Sequence, residues 1–113
     1  ADQNSFCELY NVSGTFNSSS ANPVLNISNN SHVILRFSNI NSTGVNNSYL
    51  AKVSNNSKLY LNDNTFTDFN NGIYAEINST VDARNGNTFT NVSNQFSPST
   101  PFTYGNNNSV ILA

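Results

Sequence analysis

The chain has 113 residues, only 9% of them charged, and a formal net charge of −2, so it lacks the basic footprint that nucleic acid or an anionic membrane surface would require. Its longest apolar runs, Val33–Leu35 and Val110–Ala113, fall far short of the roughly 20 residues that cross a bilayer as a helix. Asn, Ser and Thr are abundant, and because their side chains compete for backbone hydrogen bonds, almost no α-helix is expected.

In chain order, Phe6, Leu9, Tyr10 and Val12 suit an N-terminal strand, and Ser18-Ser-Ser-Ala-Asn-Pro23 marks a loop. A phrase then recurs. It reads Ile27-Ser-Asn-Asn-Ser-His-Val33-Ile-Leu35, Val53-Ser-Asn-Asn-Ser-Lys-Leu59-Tyr-Leu61, a shortened Ile77-Asn-Ser-Thr-Val81-Asp-Ala83, and Tyr104-Gly-Asn-Asn-Asn-Ser-Val110-Ile-Leu-Ala113. A second phrase alternates with it: Phe37-Ser-Asn-Ile40, Phe66-Thr-Asp-Phe69 and Phe89-Thr-Asn-Val92. Two interleaved phrases in constant order, spaced by roughly 22 to 30 residues, predict stacked supersecondary units. The expected fold is all-β, a short parallel β-solenoid of about four to five rungs. Residues 1–23 are expected to form a strand and loop that cap the solenoid or are donated to a neighbour, and residues 24–113 the rungs.

Inward positions are read from the alternation: Leu25, Ile27, Val33, Leu35, Phe37 and Ile40 in the first rung; Tyr49, Ala51, Val53, Leu59, Leu61, Phe66 and Phe69 in the second; Ile73, Ala75, Ile77, Val81, Ala83, Phe89 and Val92 in the third; Phe96, Phe102, Tyr104 and Val110 in the fourth. This registration argues against an Asn-rich disordered segment. Asn30, Asn56 and Asn108 are candidates for a corner column, since Asn tolerates left-handed backbone angles and its amides can bond from rung to rung.

Asn64-Thr-Phe-Thr-Asp-Phe-Asn-Asn-Gly-Ile-Tyr74 and its echo Asn87-Thr-Phe-Thr-Asn-Val-Ser-Asn94 resemble rung phrases of right-handed parallel β-helix proteins of the pectate-lyase-like kind, including surface proteins with polymorphic outer-membrane-protein repeats. The resemblance covers residues 24–113. It implies the fold and its handedness, with polysaccharide lyases and hydrolases among the similar enzymes.

Residues that carry chemistry are sparse. Asp63, Asp68, Glu76 and Asp82 are the acids of the repeat region, and Arg36, Lys52, Lys58 and Arg84 the bases. Asp82 and Arg84 alternate with inward Val81 and Ala83, so both are expected on one outward face with Arg36 and Tyr60. His32 reads as an exposed residue at the end of a turn. No metal cluster, phosphate loop or nucleophile motif is present, and no cofactor is expected. Cys7, the only cysteine, suits either a buried small apolar role or an intermolecular disulfide. Outward Thr65, Thr67, Thr88 and Thr90 fall in adjacent rungs, an arrangement that ice-binding solenoids use. Ten Asn residues precede Ser or Thr by two positions: Asn11, Asn17, Asn26, Asn29, Asn41, Asn46, Asn55, Asn78, Asn91 and Asn107.

Val110-Ile-Leu-Ala113 opens a rung and presents an apolar edge without charge or Pro. The outward column is expected to contain Ile34, Tyr60, Asp82 and Ile111, mostly apolar, with the strand around Phe6 to Val12 covering it. Ala1-Asp2-Gln3 fits a mature exported chain and equally a sequence begun at an arbitrary point. The resulting expectation is a non-enzymatic extracellular structural protein, the subunit of a surface filament or adhesin stalk, N-glycosylated at the sequons above. Its assembly residues are Phe6, Leu9, Tyr10, Val12, Val110, Ile111 and Leu112, and its partners are other copies of itself. The alternative is a carbohydrate-binding or polysaccharide-degrading module using Arg36, Asp82, Arg84 and Tyr60, with ice binding behind it.

Overall fold

The computed structural model describes residues 4–19, 21–43, 48–97 and 109–112. Short strands follow one another: β1 (Phe6–Tyr10), β2 (Ser13–Phe16), β3 (Leu25–Ile27), β4 (His32–Arg36), β5 (Asn39–Ser42), β6 (Tyr49–Val53), β7 (Lys58–Asn62), β8 (Thr65–Thr67), β9 (Asn71–Ala75), β10 (Thr80–Asn85), β11 (Thr88–Thr90), β12 (Asn94–Ser97) and β13 (Val110–Leu112). No helix occurs among the described residues. Every third strand pairs in parallel with its predecessor, giving sheet A (β1-β4-β7-β10-β13), sheet B (β2-β5-β8-β11) and sheet C (β3-β6-β9-β12). The chain is therefore a parallel β-solenoid whose three sheets are four or five strands deep, the class expected from its repeats.

Constant register turns the alternation of each strand into columns. Cys7, Val33, Leu59, Val81 and Ile111 stack on one another inside sheet A. Ile40, Phe66 and Phe89 stack inside sheet B, and Ile27, Val53 and Ala75 inside sheet C. Leu35, Leu59, Phe66 and Val53 are fully buried, and each such side chain contributes about 1.5–3 kcal/mol. The rings of Phe66 and Phe89 lie 5.2 Å apart, tilted by 42°. Gly72, buried in β9, lets the next coil approach: a Cβ there would collide with the carbonyl of Gln95.

Stacking begins earlier than the repeat phrases suggest. β1 pairs with β4 and β2 with β5 within the same chain, so the segment around Phe6–Phe16 pairs with the first rung and supplies the first strands of sheets A and B. In the fourth rung, Phe102 and Tyr104 lie outside the described residues. Three registers also differ from expectation. Ile111, not Val110, takes the inward place of Val81, and Leu112, not Ile111, joins the outward column of Ile34, Tyr60 and Asp82. Ala75, not Ile77, is equivalent to Val53, so the third copy of the phrase is full length. Ile40, not Phe37, is equivalent to Phe66, and Phe37 is 55% exposed. Alternation has period two, so a slip of one residue moves a side chain to the opposite face.

The corners explain these shifts. Between sheets A and B the connections are the pairs Asn11-Val12, Phe37-Ser38, Asp63-Asn64 and Gly86-Asn87. The first member of each has positive φ, between 54° and 73°, which drives Phe37 outward whatever its hydrophobicity. Left-handed geometry suits Asn, Asp and Gly and costs a bulky residue roughly 1–2 kcal/mol. At Gly86 a Cβ would also strike Asp63 Oδ1. Between sheets C and A the first three connections have four residues: 28–31, 54–57 and 76–79. Here Asn29, Asn30, Asn55, Asn56, Ile77 and Asn78 are left-handed, so Ile77 occupies a corner position. Connections from B to C shorten from eight residues (17–24) to six (43–48) and then to three (68–70 and 91–93).

Candidate functional site

Two hydrogen-bond ladders run along the corners. Before sheet A stand Ser5, Ser31, Ser57, Ser79 and Ser109, the last four buried. The Ser5 N–H donates to Ser31 Oγ at 3.4 Å and the Ser31 N–H to Ser57 Oγ at 3.2 Å. His32, Lys58, Thr80 and Val110 in turn donate their N–H groups to the carbonyls of Ser5, Ser31, Ser57 and Ser79. The amide contact expected of Asn30 and Asn56 occurs one position earlier, from Asn55 Nδ2 to Asn29 Oδ1 at 3.4 Å; Asn108 lies outside the described residues. After sheet A, the Val12 N–H donates to Ser38 Oγ (3.1 Å), Ser38 N–H to Asn64 Oδ1 (2.9 Å) and Asn64 N–H to Asn87 Oδ1 (3.1 Å). Asn64 and Asn87 also donate inward, to the carbonyls of Leu35 and Leu61.

Six of the seven expected assembly residues lie on the two end strands of sheet A, and Val12 lies in the corner after β1. Phe6 and Tyr10 point outward, 62% and 48% exposed, while Leu9 and Val12 pack half-buried against the core. Val110 and Leu112 are half-buried and Ile111 is buried. Cys7 is a free thiol, half-buried against the same core. Among the described residues, β1 and β13 have a sheet neighbour on one side only. The bonds from His32 N–H to Ser5 O and from Asn11 N–H to Arg36 O fix the phase of the first pair. By the alternation of a parallel ladder, Phe6, Glu8 and Tyr10 then turn their backbone groups to the open edge.

The outward face of sheet A is aromatic. His32, expected to be exposed, is half-buried between Phe6 (centroids 5.1 Å apart, edge-on) and Tyr60 (4.9 Å). Its Nε2 is buried without a hydrogen-bond partner among the described residues, and burial, then Lys58, hold its pKa below the ordinary histidine value. Arg36 lies over the Tyr10 ring at 5.8 Å, and Tyr10 Oη donates to Glu8 at 2.6 Å, a bond that raises the phenol pKa. Asp82 and Arg84 do share this face. A register shift between Asp82 and Asn85 lets Arg84 fold back on Asp82 at 2.7 Å, and its hydrogen bonds hold the Asp82 carboxyl below the usual range. The pair closes on itself, and Arg36 stands two strands away on β4. No group of three His, Cys, Asp or Glu suited to a metal occurs among the described residues.

Of the sequons, Asn11, Asn29, Asn55, Asn78 and Asn91 are left-handed corner residues. Asn17 and Asn26 are exposed and Asn41 is half-buried; Asn46 and Asn107 lie outside the described residues. Thr65 and Thr67 stack on Thr88 and Thr90 as expected, but the next strand offers Asn39 and Asn41, so the threonine lattice is two strands deep.

One cluster escaped the sequence reading. Tyr49, Lys52, Tyr74 and Glu76 line a pocket of about 290 Å³, open to solvent. Lys52 and Tyr74 are paired neighbours on β6 and β9. Tyr49 was expected inside, where the buried Leu50 and Ala51 lie instead. The signal available was the outward column of sheet C, Asn26, Lys52 and Tyr74. The chain matches no family model, no curated protein and no solved structure, and what its structure shows is the fold class, a parallel β-solenoid.

Proposed function

We propose that the protein is a non-enzymatic, extracellular structural subunit of a cell-surface filament or adhesin stalk, built by strand addition and end-to-end stacking of solenoids. The observation that carries this reading is the serine ladder, which has the same residue at both ends of sheet A, Ser5 and Ser109. A second copy placed beyond β13 continues the register, its Phe6 taking the place next to Val110 that Val110 takes next to Thr80. The open-edge groups of Phe6 and Glu8 are in phase with those of Ile111. Such a head-to-tail contact does not close and propagates into a fibre. The exposed corner sequons support an exported, glycan-coated surface, and the Asn64–Tyr74 phrase supports placement among the surface β-helices it resembles.

Negative-stain micrographs of the chain at micromolar concentration test this. Wild type is expected to form regular filaments. Glu8→Pro removes an outward-edge donor and leaves the β4 pairing intact, so it is expected to give monodisperse particles with an unchanged β circular-dichroism spectrum. Removal of residues 110–113 is expected to do the same. A monodisperse wild type, or filaments indifferent to both changes, overturns the proposal.

A further inference from the structure

The pocket on the outward face of sheet C joins, in one small lining, two of the chain's five tyrosines and two of its few charged residues. Its polar groups are held in place. Lys52 Nζ lies 3.6 Å from Glu76 Oε1, with side chains 39% and 23% exposed, and Tyr74 Oη donates to Glu76 Oε2 at 3.2 Å. Both carboxylate oxygens thus have one contact each, which fixes the group without exhausting its roughly four lone-pair sites, and the ammonium has three donors. A volume of about 290 Å³ is at the lower end for small-molecule sites.

These groups select a ligand class. Lysine and glutamate compensate each other, so the lining offers no net attraction to an ion of either sign. A pre-oriented carboxylate beside an ammonium presents an acceptor and a donor to adjacent hydroxyls. Tyrosine rings offer flat π faces to the weakly polarised C–H groups of a saturated ring, with little conformational entropy to lose. A pocket open to solvent admits one ring of a chain while the rest extends along the sheet. We infer that the cleft between β6 and β9 is a binding site for one residue of a neutral saccharide chain, with the Tyr49 and Tyr74 rings as its apolar walls and Lys52 and Glu76 as its hydroxyl partners. This site is separate from the Asp82–Arg84 pair, which lies on sheet A and is satisfied internally.

The test is titration of the full chain with maltohexaose, cellohexaose and, as an anionic probe, trigalacturonate, followed by calorimetry and by tyrosine chemical shifts. Saturable binding of a neutral hexasaccharide with a dissociation constant on the order of 1 mM is expected. Affinity is expected to fall at least about tenfold in Tyr49→Ala/Tyr74→Ala, to be largely retained in Tyr74→Phe, and to be unaffected by Asp82→Ala/Arg84→Ala. Circular dichroism reports whether each variant is folded, and Glu76→Gln supplies a further loss of binding should the double alanine variant unfold. The inference is overturned if neither neutral probe binds, if trigalacturonate binds more tightly than both, or if the folded pocket variants bind as wild type does.

Discussion

The corners on either side of sheet A solve the same problem differently. The corner before it repeats one residue, with Ser5, Ser31, Ser57, Ser79 and Ser109 in equivalent places. The corner after it changes from Val12 to Ser38, Asn64 and Asn87, and its side-chain bonds multiply along the way. Each turn leaves backbone N–H groups pointing along the solenoid axis, and in both corners a side-chain oxygen from the next coil accepts one. A hydroxyl accepts this bond and donates back within its own coil, as Ser38 Oγ does to the Arg36 carbonyl and Ser79 Oγ to that of Ile77. An amide donates across coils, and so ties Leu35 and Leu61 to the coil that follows. The uniform corner therefore carries the same residue in its first and last described coils, whereas the graded corner has a beginning, because Val12 carries no side-chain acceptor.

The sharpest way to break this difference is Asn64→Ala. It strips an acceptor from Ser38 N–H and a donor from the Leu35 carbonyl in a fully buried place, and about 3 kcal/mol of stability is expected to be lost in urea unfolding. Ser57→Ala, the matching change in the uniform corner, removes only the acceptor of the Ser31 N–H and is expected to cost about 1 kcal/mol. Equal losses at the two positions would contradict the contrast. Phe37→Asn acts in the opposite direction. It replaces an exposed aromatic at φ 54° with a residue that accepts left-handed geometry, and a thermal melt is expected to show a gain of about 0.5–1 kcal/mol.

The smallest effect is expected from pH at His32, the residue directly after the uniform corner. Burial lowers its folded pKa, so below the ordinary histidine value the unfolded chain binds more protons than the folded one. The contribution is complete above that value and is lost as pH falls through the folded pKa. Denaturation midpoints are expected to decline on mild acidification in wild type and to do so less in His32→Gln. Asp82 has the same sign at lower pH, since Arg84 depresses its pKa; this contribution lies above the ordinary carboxylate range and is lost on strong acidification.

Much of the fold was legible because burial imposes period two on strands and the corners impose a repeat length. The errors were errors of anchor. Aligning Val110 with Val33, Leu59 and Val81 lined up apolar residues, whereas the structure lines up Ser31, Ser57, Ser79 and Ser109 and lets the apolar residue fall two positions later. Phe37 and Ile77 misled for the same reason, since a left-handed corner overrides hydrophobicity. The first coil lacked the phrase, because Val12 and Gly14 stand where later coils have Asn and Phe. The sheet C pocket was hidden by its composition from residues 49 to 76: its members are neighbours only after the chain has completed a circuit.

The connections from sheet B to sheet C run from eight residues in the first coil to three in the last two described, and those from sheet C to sheet A from four residues to the twelve of 98–109, while the four A–B corners keep two, so the sequence gains or loses length where B meets C and where C meets A but not where A meets B. One residue added to an A–B corner would turn the following strand inside out. The same addition between Phe16 and Leu25 leaves every column where it was. That edge is where foreign peptides can be grafted for display, and where drift in the gene can lengthen a coil without remaking the rungs above and below it.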